Sequence, residues 1–251
     1  MQAKIRHYVT GVTIAGTVLF GALYLIEPGI QAGYLLAAVV FFVFALMASS
    51  MSYRPSANTT GSIAFLPILA GLVLVPHWVG VLGVTGSVLV AELISRRAPI
   101  KVVFNTAACL FASSVAVICY RFLGGVSLLT LSEFAFVPYL TAVVLFFAAN
   151  SLTTSGIVAL QEEKNPWRLW LKRLRFTLVY DLLSTPFVFV FAYIYVHFGV
   201  VGAGIFMIPL LGARELYKKN WQLEKTNQEL LELMVKAIEA RDPYTLSLIH
   251  I

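Results

Sequence analysis

Eight apolar runs follow one another through the first 213 positions, at 8–26, 30–50, 61–76, 78–95, 102–121, 134–158, 176–197 and 199–213. A helix of about 20 apolar residues spans the hydrocarbon core of a bilayer, and lipid offers no partner for a backbone that does not satisfy itself. The chain is therefore expected to be all-α, a polytopic transmembrane helix bundle of about eight spans. With 59% of residues hydrophobic, 12% charged and a mean hydropathy of +0.86, a soluble globular domain is excluded. The runs at 61–76 and 199–213 are the shortest, and the count falls to seven or six if either is re-entrant.

The runs are separated where local chemistry breaks helices: Glu27-Pro28, the polar stretch 52–60, Pro76-His77, the segment 96–99, Gly124-Gly125 and the charged run 161–175. The first run is too long for a signal-peptide core and carries no clear cleavage site, so it reads as a retained span. Cys109 and Cys119 share one apolar run and are not expected to pair.

Basic residues collect on the cytoplasmic side of membrane helices. If the N-terminus is inside, the inner segments hold Lys4 and Arg6, Arg54, Arg96, Arg97 and Lys101, then Lys164, Arg168, Lys172, Arg173 and Arg175, then Arg214, Lys218 and Lys219, while the outer ends hold only Arg121. That asymmetry supports eight crossings with both termini cytoplasmic. The net charge of +6 is thus a matter of topology and implies no nucleic acid. Tyr8, Trp78 and Trp167 lie near span ends, as interfacial anchors do.

Polar groups inside spans carry an insertion penalty and mark intramembrane or ligand-sensing sites by default. Four qualify: Glu92, Asn105, Asn150 and Asp181. Each has a structural reading beside it. Glu92 lies within one helical turn of Arg96 and could pair with it, Asp181 could reach Arg175, and the two asparagines could join helices by hydrogen bonds. The Ser/Thr/Gly stretch 151–156 and the Gly-rich stretch 80–86 suit close helix packing. His7, His77 and His197 fall singly at span ends and read as interface residues. No catalytic residue and no metal site is assigned in this chain, and no cofactor.

After Gly212 the composition changes to that of a soluble helix over 213–241. Leu216, Leu223, Leu230 and Ala237 recur every seven residues with Leu233 between them, the spacing of a coiled-coil dimer seam, although Lys219 interrupts it. A homodimer through this long cytoplasmic linker helix is expected, with an amphipathic helix lying on a following domain as the alternative.

The segment 230–245 ends in Ala237-Ile238-Glu239-Ala240-Arg241-Asp242-Pro243-Tyr244-Thr245 and resembles the opening helix of HD-GYP domains, metal-dependent phosphohydrolases that cleave cyclic di-GMP. In that family an A-x-E-A-R-D-P-Y-T run leads into G-H-S. Here Ser247 and Leu248 stand where the family has glycine and histidine, and the metal ligands and G-Y-P motif would lie further on. The resemblance implies that the whole protein is a membrane-anchored signalling phosphohydrolase whose missing domain holds a divalent metal, iron or manganese, and meets cyclic di-GMP. The last six residues, 246–251, are what CTG-TCT-CTT-ATA-CAC-ATC encodes, a transposon end used in sequencing libraries, and are expected to be adapter-derived.

The expected organisation is a multi-pass sensor over 1–212, a signalling helix over 213–241, the start of an HD-GYP domain over 237–245, and the tail 246–251. A second reading is a small-molecule or ion transporter with a helical tail, in which Glu92 and Asp181 bind cation or substrate. A third is a bundle that only anchors its output domain.

Overall fold

The computed structural model describes the backbone of residues 2–50, 53–56, 59–61, 63–130 and 135–241, and their side chains except at 53–61, 172–182, 184 and 239–241. Seven helices carry almost all of it: α1 Gln2–Ile26, α2 Tyr34–Ser50, α3 Phe65–Leu74, α4 Trp78–Ile94, α5 Pro99–Phe122, α6 Phe136–Glu162 and α7 Pro166–Arg241. Between α2 and α3, β1 (Tyr53–Ser56) pairs antiparallel with β2 (Thr59–Gly61). The fold is all-helical apart from this ribbon. Among the described residues four helical stretches are long and apolar enough to cross a membrane: α1, α5, α6 and a stretch of α7 within Thr185–Ile238.

The breaks follow side-chain chemistry. Pro28 ends α1, and Pro99 opens α5 at a position whose N–H has no helical partner to lose. Glu163 ends α6 in the left-handed conformation. Two residues later Asn165 Oδ1 accepts from the N–H groups of Trp167 and Arg168 at 2.9 and 3.3 Å, with Pro166 as first helical residue. The charged run 161–175 was expected to be a break throughout. The interruption covers only Glu163 to Asn165, because this cap restarts the helix at once. α7 is split at Gly199, whose φ of 64° and ψ of −158° suit glycine alone. That kink separates the runs expected at 176–197 and 199–213.

The third run departs most from expectation. Residues 59–61 pair in β2, so α3 covers only ten residues and rises about 15 Å, half the bilayer core. Every residue from Leu66 to Leu74 is buried. Its unbroken apolarity reflects a helix surrounded by protein rather than one facing lipid. At 17 residues each, α2 and α4 rise about 25 Å.

The described residues divide into two compact units, one of residues up to 50 and 63–207, the other of the ribbon and 208–241. In the first, α5 packs on α1, α4 and α6, and α2 packs on α3 and α4. The beginning of the apolar part of α7 joins through Phe191, whose ring meets Phe41 and Phe44 at 5.2 and 5.6 Å, and through the Tyr139 hydroxyl, which donates to Thr185 O at 2.5 Å. Small residues set the spacing: a Cβ on Gly16 would lie 3.3 Å from Ala107 O, and one on Gly83 would lie 3.2 Å from Ala38 O. In the second unit, 208–241 is a helix whose side chains are largely exposed.

Candidate functional site

Of the intramembrane polar residues expected from the sequence, Glu92, Asn105 and Asn150 are not joined to one another among the described residues. Glu92 Oε2 lies 3.2 Å from Arg97 Nε, both side chains less than one-fifth exposed. The partner is Arg97 rather than Arg96, because Arg96 takes a left-handed φ of 48° after the helix end and turns the chain so that the next residue points back over α4. Asn105 and Asn150 are half-buried on α5 and α6, and the Asn150 carbonyl accepts from the hydroxyls of Thr153 and Thr154. The side chains of Asp181 and Arg175 lie outside the described residues. Leu216, Leu223, Leu230 and Leu233 are 52–70% exposed on α7, Ala237 is exposed as well, and residues 242–251 lie outside the described residues. Cys109 and Cys119 are free.

The densest polar arrangement sits where α1, α3 and α5 end and α2 and α4 begin. Glu27, the residue after α1, is its hub. One carboxylate oxygen pairs with Arg121 at the end of α5, and the other accepts from Gln31 at 3.3 Å. The Glu27 carbonyl meets His77 Nε2 at 2.8 Å, and the Pro76 carbonyl accepts from the same Arg121 nitrogen at 3.2 Å. Three segments far apart in sequence are thereby tied at one point.

His77 is only 1% exposed and opens α4. Its Nδ1 accepts the Val79 N–H at 3.4 Å, and its Nε2 is the nitrogen that faces the Glu27 carbonyl. The ring is held between Tyr34 and Trp78, with centroids at 5.5 and 5.4 Å, and Tyr24 packs edge-on against Trp78. The turn that delivers His77 is tight: a Cβ on Gly80 would lie 2.1 Å from Val75 O, so only glycine fits.

The segment after α5 closes the cap. Gly124 takes a φ of 82° and the Gly125 N–H returns to Tyr120 O at 2.8 Å, reversing the chain. The reversal lets the Tyr120 hydroxyl donate to Val126 O at 2.8 Å and brings Ser127 over the end of α3. There the Ser127 hydroxyl donates to Leu74 O and the Leu128 N–H to Val73 O, satisfying carbonyls that the helix leaves open. The Trp78 indole N–H is buried in the cap without a partner among the described residues.

The cap holds a carboxylate, a guanidinium and an imidazole, but no nucleophile paired with a base among the described residues. Among the described residues no three His, Cys, Asp or Glu side chains gather as metal ligands. Chemically it is a latch between helix ends, sensitive to anything that competes for Glu27 or Arg121. Sequence reading gave His77 and Arg121 no joint role. The available signal was that Glu27, His77 and Arg121 all fall at ends assigned to one face of the membrane, with opposite charges among them. No protein-family model, no curated protein and no solved structure matches this chain.

Proposed function

We propose that this chain is the membrane sensory and anchoring region of a bacterial signalling protein. Its bundle crosses the plasma membrane about eight times with both termini cytoplasmic, and an HD-GYP domain beginning near Ala237 hydrolyses cyclic di-GMP with bound iron or manganese. The observation that carries the reading is α7, which holds no non-helical residue between Gly199 and Arg241 and displays Leu216, Leu223, Leu230 and Leu233 exposed on a charged helix. Apolar residues at that spacing and exposure suit a parallel pair of linker helices. The cap formed by Glu27, His77 and Arg121 would face outward in this topology, where a cue could compete for its ion pair.

The transporter reading gains nothing from the geometry, since Glu92 is taken up by Arg97 near a helix end. The test is a genomic read across codon 245 followed by assay of the recovered protein with manganese or iron. Cyclic di-GMP hydrolysis that weakens when Leu223→Asp and Leu230→Asp break the dimer supports the proposal. A stop codon after Ile251 in intact genomic DNA, or an active monomer unaffected by those changes, overturns it.

A further inference from the structure

At the opposite end of the bundle from the cap, a cleft of about 360 Å³ opens between α1, α5 and α6. It is lined by His7, Tyr8, Gly11 and Ala15 of α1, Phe111 of α5 and Thr153 of α6. Its size is at the lower end of small-molecule sites. The space exists because α1 touches its neighbours on either side of it. The Tyr8 ring packs on Phe104 with centroids 6.4 Å apart, its hydroxyl donates to Thr153 O at 3.0 Å, and Gly16 lies against α5. A Cβ on Gly11 would meet nothing within 4 Å. With the Tyr8 hydroxyl satisfied, the walls are almost wholly apolar, and the exposed Ile14 and Val18 lie nearby on α1.

The contacts Tyr8–Phe104 and Gly16–Phe111 run in the same sense, so α1 and α5 are parallel and their basic ends coincide. Lys4 lies one turn before Tyr8 on the same face of α1, and Lys101 lies three residues before Phe104 on α5. Both are exposed and have no ion-pair partner among the described residues. A dry slot that ends at two unneutralised cations beside the membrane surface matches a molecule with an apolar chain and an anionic head. We propose that this cleft seats one acyl chain of an anionic phospholipid, with its headgroup held by Lys4 and Lys101.

The test uses the whole chain, purified in detergent, incubated with phosphatidylglycerol or phosphatidylcholine and measured by native mass spectrometry. One phosphatidylglycerol retained per chain, in preference to phosphatidylcholine, is expected. Gly11→Leu fills the slot and should lower retention at least about tenfold, the equivalent of displacing two methylenes. Gly21→Leu, also in open space on α1 but outside the cleft, should leave retention unchanged. Lys4→Gln and Lys101→Gln should each reduce the preference about fivefold. A phosphatidylglycerol with a photoreactive chain should label the peptide around Gly11. Equal retention of the two lipids, equal behaviour of the two leucine variants, labelling elsewhere, or a second copy of the chain filling the cleft would each overturn the proposal.

Discussion

Removing the imidazole of His77 should cost far more than a lone residue at a helix end suggests. In His77→Ala three contributions disappear together. The N-cap acceptor for Val79 N–H is worth about 1 kcal/mol. The bond to Glu27 O is worth about 1 kcal/mol net. The packing between Tyr34 and Trp78 adds about 1–2 kcal/mol for the vacated ring volume. Simple addition gives about 3–4 kcal/mol, and because the groups share one network the expected loss is about 3 kcal/mol. His77→Asn keeps a good cap acceptor but cannot reach Glu27, so about 2 kcal/mol should be lost. Both are measurable as shifts in reversible unfolding in mixed micelles followed by circular dichroism. A loss under about 1 kcal/mol for the alanine variant would refute the latch, since the cap alone would account for it. Asparagine behaving as badly as alanine would refute the assignment of Nδ1 as the acceptor.

Three other perturbations test the remaining architecture. Gly83→Leu drives a side chain toward Ala38 O and should destabilise α2 against α4 by about 1–3 kcal/mol, whereas Gly21→Ala should stay within about 0.5 kcal/mol in the same unfolding assay. Gly199→Ala places a Cβ where φ is 64°, costing about 1–3 kcal/mol or straightening α7; spin labels at Val190 and Ile205 would report a changed distance, and an unchanged one with unchanged stability would contradict the kink. A double-mutant cycle on Glu92→Gln and Arg97→Gln should give a coupling of about 1 kcal/mol or more. The exposed Lys225–Glu229 pair should give at most about 0.5 kcal/mol, and equal couplings would show that burial adds nothing.

A cap built from helix ends bears on how a cue could be read. Glu27 and Arg121 are one-quarter and about one-third exposed, so their ion pair is accessible, while His77 beneath them is buried. Disturbing the pair would release Pro76 O and the hold on the end of α1 together, since the same arginine nitrogen serves both acceptors. Arg121→Gln therefore isolates the pair from the imidazole and gives the latch a second handle.

Sequence alone determined most of what depends on local chemistry. Apolar runs must become helices in lipid, and Pro28 and Pro99 interrupt or restart them through backbone properties that act over a few residues, whereas the Asn165 cap inside the charged run and the kink at Gly199 emerged only in the structure. The spacing that put Glu92 within a turn of a basic residue was legible too, but not which arginine it would meet, because the left-handed backbone at Arg96 is set by how the chain leaves α4. Tertiary structure alone decided that α3 is an interior helix half the length of a span. The run at 61–76 is as apolar as a lipid-facing one, and apolarity does not distinguish lipid from protein as its surroundings. It also decided the site. Glu27, His77 and Arg121 are 50 and 44 residues apart along the chain, a separation that carries no periodicity for a pattern to reveal. They meet because α1 and α5 run parallel and the tight turn before α4 delivers an imidazole between their ends.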